Sequence, residues 1–147
     1  MSYLSRKKQK MLKKFNNILI IDDDQVNNFI VSSTLKKLQI SEHIDAVLNG
    51  LEGIHYLIDK SKSAPEMIPQ LIILDINMSV MDGWEFLEEF EKFEEEFKSN
   101  INIYMVSSSV YEEDIQRSKT FASVKDFISK PLLEETILQI YNKHFNE

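Results

Sequence analysis

Two runs of four apolar residues, ILII at Ile18–Ile21 and LIIL at Leu71–Leu74, do not alternate with polar residues, and each ends on a carboxylate. A strand with one wet face alternates, whereas a strand covered on both faces reads as an unbroken apolar run. The two runs therefore demand a sheet sandwiched between layers. In a chain of 147 residues the covering layers have to be helices supplied by the segments between strands.

Those segments carry helical period. After the first run, Val26, Phe29, Ile30, Leu35 and Leu38 recur at helix spacing and predict one apolar stripe. HIDAVLN (His43–Asn49) reads as a second strand, and Leu51, Ile54, Leu57 and Ile58 mark the helix after it. SKSAPEMIPQ (residues 61–70) reads as a loop, because Pro65 and Pro69 interrupt any helix. After LIILD, the stretch DGWEFLEEFEKFEEEF predicts one long helix with Phe86, Leu87, Phe90, Phe93 and Phe97 inward. INIYMV is a fourth strand, Tyr111–Lys119 a short helix and VKDFIS a fifth strand. Leu132, Leu133, Ile137, Ile140 and Tyr141 form the face of a last helix. Five βα units in series predict an α/β fold, a flavodoxin-like doubly wound parallel sheet of order 2-1-3-4-5 with five helices. Ligands of such sheets bind beyond the carboxyl ends of the strands.

Composition narrows the function classes. A formal net charge of -7 speaks against general nucleic-acid binding, which needs a basic footprint. With no cysteine there is no disulfide framework and no thiolate metal site. The apolar runs are too short for a signal-peptide core or a membrane span, and a cytoplasmic location is expected by default. One segment departs from the acidic trend. SRKKQKMLKK (Ser5–Lys14) holds six basic residues and no acid. It reads as a solvated terminus in preference to an arm for a membrane surface or an acidic partner. Residues 1–16 are accordingly set apart as a basic N-terminal extension, with one domain over 17–147.

The polar residues that follow the strands carry the chemistry. Strand one ends in Asp22, Asp23 and Asp24, strand three in Asp75, strand four in Ser107, and strand five in Lys130 before Pro131. The topology gathers them at one sheet edge. Clustered carboxylates with no arginine among them call for a hard cation, and Mg²⁺ takes oxygen ligands, commonly one or two carboxylates with a phosphate. A carboxylate also serves as a nucleophile toward phosphorus, giving an aspartyl phosphate. Singly, each residue has an ordinary explanation. Asp24 caps a helix, Asp82 before Gly83 is a turn or cap residue, Ser107 is a strand-end hydroxyl, Lys130 is a surface lysine and Phe127 is core. The recurrence of these types at four strand ends favours a site.

ILIIDDD, LIILDINMSVMDGWEFL, VSSS and FISKPL together resemble the motifs of response-regulator receiver domains of two-component signalling, from Asn17 to about Phe145. The resemblance implies that Asp22 and Asp23 hold Mg²⁺, with Asp75 the phosphoacceptor and the backbone carbonyl of Asn77 a further metal ligand. It implies that Ser107 is the switch hydroxyl, that Phe127 is the aromatic moving with it, and that Lys130 contacts the phosphoryl group. Pro131 matches a proline that often follows a cis bond. The partner implied is a histidine kinase or a histidine phosphotransfer protein, with the receiver catalysing its own phosphorylation and dephosphorylation. The chain ends soon after the last helix, so a stand-alone receiver without a DNA-binding domain is expected. Ser79 departs from the family, which usually has proline there. A rival reading is a haloacid-dehalogenase-type phosphatase using Asp22 as nucleophile and Asp24 as acid, from Asp22, Asp24 and Val26. It lacks the acidic pair beyond Lys130 and leaves LDINM unexplained. A third is a receiver that binds partners without phosphorylation.

Overall fold

The structure, a computed structural model, describes residues 13–146. Five strands, β1 (Phe15–Ile21), β2 (Ser41–Val47), β3 (Leu71–Asp75), β4 (Asn102–Ser107) and β5 (Val124–Ser129), form one sheet in the order β2-β1-β3-β4-β5. Every pairing is parallel, so each connection has to cross over a face of the sheet. The crossovers are α1 (Gln25–Leu38), α2 (Gly50–Ser63), α3 (Gly83–Phe90) with the short α4 (Glu95–Lys98), and α5 (Glu112–Ser118); α6 (Glu134–Phe145) closes the chain. The predicted sheet order holds. Among the described residues the helices number six, five long and one short, where five were expected.

The unbroken apolar runs are explained by a core on each face. Ile18, Ile20, Leu71, Ile73, Tyr104 and Val106 point to one side and pack with Val31, Leu35, Leu38, Ile137 and Tyr141 of α1 and α6. Their immediate neighbours Leu19, Ile21, Ile72, Leu74, Ile103 and Met105 point to the other and pack with Ile54, Leu57, Phe86, Leu87 and Phe90 of α2 and α3. Adjacent strand residues thus serve opposite cores. Each fully buried aliphatic side chain stabilises the fold by roughly 1.5–3 kcal/mol.

Four expectations change. The inward face of α1 is Asn28, Val31, Leu35 and Leu38, whereas Val26, Phe29 and Ile30 are exposed. The inward face of α2 is Gly50, Gly53, Ile54 and Leu57, with Leu51 and Ile58 outward. The long helix after LIILD stops at Phe90 and resumes as α4. Lys98, 7% exposed, donates to the Glu91 carbonyl at 3.0 Å and pairs with Glu91 and Glu95, which folds the chain back on itself. Phe93 and Phe97 still lie against the core, but from that turn and from α4. Finally, α2 runs through Ser63 into a 3₁₀ turn, Pro65–Met67, in the segment read as loop.

β1 begins at Phe15, inside the segment set apart as the extension, and the Tyr141 hydroxyl donates to the Lys13 carbonyl at 2.6 Å. Residues 1–12, most of the basic segment, lie outside the described residues.

Candidate functional site

The carboxyl edge of the sheet assembles the site. Asp22 follows β1, Asp75 ends β3, Ser107 ends β4 and Lys130 follows β5. In-register pairing aligns these ends: Ile21 stands opposite Leu74, Asp75 opposite Val106, and Ser107 opposite Ser129. Asp22, Asp75 and Ser107 are almost fully buried, at 1%, 6% and 1% exposure, and Asp23 is exposed. The chain can fold tightly behind Asp75 because Gly83 lacks a side chain. Its N–H donates to the Ile76 carbonyl at 2.8 Å, and a Cβ on it would sit 2.5 Å from the Asp75 carbonyl oxygen.

Asp22, Asp23 and Asp75 each offer a carboxylate oxygen within 4.8 Å of the others. Lys130 Nζ lies 2.7 Å from Asp22 Oδ2 and 3.3 Å from Asp75 Oδ1. Burial opposes the charge on Lys130, yet its hydrogen bond to Asp22 and the charge of Asp75 hold its pKa above the usual lysine value. Burial, then the neighbouring Asp22 charge, push Asp75 up to about 6, while Lys130 pulls the other way. One ammonium thus faces three carboxylates. The surplus negative charge, the all-oxygen donor set and the crowding of the three oxygens fit a hard dication such as Mg²⁺.

The other site residues fall as follows. The Ser107 hydroxyl donates to the Ser109 carbonyl at 2.9 Å and accepts from the Ser109 N–H at 3.2 Å, so it is held by its own loop. Phe127 lies half-buried in β5, opposite Met105. Asn77 lies two residues beyond β3 and is exposed. The Lys130–Pro131 peptide is cis. Asp24 caps α1, accepting from the Asn27 N–H at 3.0 Å, and Asp82 caps α3 in a reciprocal box with Glu85. Both carry the ordinary role weighed for them. Asp24 lies outside the converging group of Asp22, Asp23 and Asp75, and its Oδ1 is taken up by the cap.

Two residues escaped the sequence reading. Asn27 Nδ2 donates to Asp22 Oδ2 at 2.9 Å, and Asn28 Nδ2 donates to the Asp22 carbonyl at 2.8 Å. The available signal was an amide pair in the first turn of an otherwise amphipathic helix. It was masked by the apolar residues Val26, Phe29 and Ile30 around it.

The chain is similar to known proteins over most of its length. The family model described as response regulator receiver domain matches residues 18–142. Sensor histidine kinase CheAY of Helicobacter pylori is 32% identical over 126 residues, which are 86% of this chain and 14% of that protein. The chain thus spans a small part of the length of such relatives. A two-component response regulator from Cytophaga hutchinsonii superposes with a TM-score of 0.83 at 29% identity, over 92% of this chain and 100% of that one. A CheX–CheY–BeF₃–Mg²⁺ complex from Borrelia burgdorferi gives 0.70 at 26% identity, over 88% of this chain and 89% of that one.

Proposed function

We propose a function from one premise: this chain belongs to the response regulator receiver domain family. It accepts a phosphoryl group on Asp75 from a phosphohistidine of a histidine kinase or histidine phosphotransfer protein, and the modification switches a partner-binding surface. The observation that carries this reading is the buried Asp75 carboxylate at the carboxyl edge of the sheet, with Lys130 3.3 Å away and carboxylate oxygens of Asp22 and Asp23 within 4.8 Å.

An oxygen of Asp75 attacks phosphorus in line. The bond to the histidine nitrogen breaks, its electron pair stays on the imidazole, and an acyl phosphate forms. Phosphoryl transfer is governed chiefly by positioning and by neutralisation of charge. Asp22, Asp23, Asp75 and the Asn77 carbonyl would hold Mg²⁺, which when bound supplies neutralisation of the phosphoryl oxygens. Lys130, already between Asp22 and Asp75, extends its ammonium to one of those oxygens. The Ser107 hydroxyl exchanges the Ser109 carbonyl for another, and Phe127 turns into the space that this opens. The result is a two-state element biased by a local charge event.

The donor has to reach this edge. All the large apolar side chains exposed among the described residues lie in segments that follow strand ends: Val26, Phe29 and Ile30 in α1, Leu51 and Ile58 in α2, Val80 after β3, Val110 and Tyr111 after β4, and Leu133 after β5. Val26, Phe29 and Ile30 stand at i, i+3 and i+4 on α1, and an exposed apolar stripe of this kind marks a binding surface. The outward stripe of α1, beside Asp22, is the proposed seat of the histidine-bearing partner.

Intact-mass analysis after incubation with Mg²⁺ and acetyl phosphate tests the reading. One phosphoryl adduct is expected on the wild type. The same mass with and without the phosphodonor would refute it. Chelator or Asp75→Asn abolishes the adduct if the roles are as assigned.

A further inference from the structure

We infer that Asn27 is a positioning residue of this site, a neutral second donor to Asp22 that lets Lys130 move to the phosphoryl group. The inference deepens the receiver reading and rests on it. Asp22 is 1% exposed, so its carboxylate cannot fall back on bulk water. A buried carboxylate left without donors is costly. Its Oδ1 accepts from the Asp24 N–H at 2.9 Å. Its Oδ2 has two donors, Lys130 Nζ at 2.7 Å and Asn27 Nδ2 at 2.9 Å.

Lys130 is shared with Asp75, 3.3 Å away. A phosphoryl group on Asp75 adds oxygens that compete for the same ammonium. If Lys130 were the sole donor to Asp22 Oδ2, its departure would strip that oxygen, and the cost would hold the lysine back. Asn27 removes this penalty, because its amide stays when the lysine goes. The amide brings no charge, so it satisfies the oxygen without neutralising the negative charge that a dication needs.

Asn27 is also held in place. Its backbone N–H is fixed by the Asp24 cap at 3.0 Å, and the next residue, Asn28, grips the Asp22 carbonyl at 2.8 Å. The first turn of α1 is therefore tied to Asp22 through both the backbone and the carboxylate. Loss of a partner that orients a metal-site ligand typically weakens metal affinity or activity by tenfold or more.

The test uses the full chain and the variants Asn27→Leu, which keeps the bulk without the donor, and Asn27→Gln, which keeps an amide on a longer arm. Mg²⁺ binding is titrated through Trp84 fluorescence with no phosphodonor, and phosphoryl uptake from acetyl phosphate is timed by intact mass. The expected result for Asn27→Leu is a loss of about tenfold in Mg²⁺ affinity or uptake rate, with partial recovery in Asn27→Gln. A second readout needs neither metal nor phosphate. In chelator, Asn27→Leu combined with Lys130→Met should lower the melting temperature by more than the two single losses added, because together they empty Asp22 Oδ2. A helix-start residue with no bearing on Asp22 would give additive losses. Wild-type Mg²⁺ affinity and uptake in Asn27→Leu, or additive melting losses, would overturn the role of Asn27 alone. A wild type that takes up no phosphoryl group would overturn the receiver reading and this inference with it.

Discussion

Val80 adopts a φ of 70° in the loop after Asp75, a conformation that favours glycine and strains a β-branched residue. Its side chain is 73% exposed, so little burial offsets that strain. Val80→Gly should raise stability by about 1 kcal/mol, the relief of left-handed strain less the added freedom of the unfolded chain. Urea unfolding checks this, and a loss of stability would mean that the side chain is held by contacts. Gly83 behaves in the opposite sense. A Cβ there meets the Asp75 carbonyl at 2.5 Å and Ile76 Cα at 3.0 Å, both backbone atoms that cannot swing away. Gly83→Ala should therefore displace Asp75 and slow phosphoryl uptake about 100-fold, read from a mass time course. Most residues of this neighbourhood were legible in the sequence, because Asp22, Asp75, Ser107 and Lys130 each follow a recognisable strand. Asn27 was not, since a side chain five residues beyond Asp22 meets it only once the cap at Asp24 has set the phase of the helix.

That phase decides what α1 does. Two stripes fit a 3.6-residue period in its sequence. One contains Val26, Phe29 and Ile30, and the other contains Val31, Leu35 and Leu38. Periodicity cannot choose between them at the N-terminal end. The choice comes from Asn28, which turns inward to satisfy the Asp22 carbonyl and so rotates Phe29 and Ile30 outward. Leu35→Ala should cost about 3 kcal/mol, as a fully buried leucine does. Phe29→Ser should change stability by less than about 0.5 kcal/mol, yet slow transfer from a protein phosphodonor while leaving acetyl phosphate uptake unchanged. Equal slowing with both donors would remove α1 as the docking face. The break between α3 and α4 was illegible for a different reason. The Phe86, Phe90, Phe93 and Phe97 series keeps helical spacing without a glycine or proline, and the interruption is a tertiary effect of Lys98. At the far end, α6 places His144 against Phe15 and Phe145, with ring centroids 4.7 and 4.6 Å away. Burial lowers its pKa below the usual histidine value, and Lys125 and Lys143 line the same hollow. Below the unfolded pKa the unfolded chain binds a proton that the folded chain resists. Stability should therefore fall as pH drops through about 6.5, and His144→Phe should flatten that slope in pH-dependent melting curves.

At the scale of the whole molecule, a parallel sheet with a core on each face leaves one edge for chemistry, and the strands deliver their carboxylates, hydroxyl and ammonium to it. The sheet order was legible because right-handed crossovers leave few alternatives, and because the strand runs are apolar on both faces. The hydrogen bonding of Ser107 was not legible, since its bond to the Ser109 backbone depends on the loop's geometry. If that hydroxyl couples the site to the surface, Ser107→Ala should still accept phosphate on Asp75 but lose the NMR shifts at Phe127 and Lys119 seen in the wild type. Full wild-type shifts would show that another group carries the coupling. All of this depends on which carboxylate becomes the acyl phosphate. Borohydride reduction of the full chain after incubation with Mg²⁺ and acetyl phosphate converts an acylated aspartate to homoserine, which peptide mass mapping then locates. The account predicts homoserine at position 75 alone, whereas homoserine at position 22, as the phosphatase chemistry requires, or unaltered aspartate at both would contradict it.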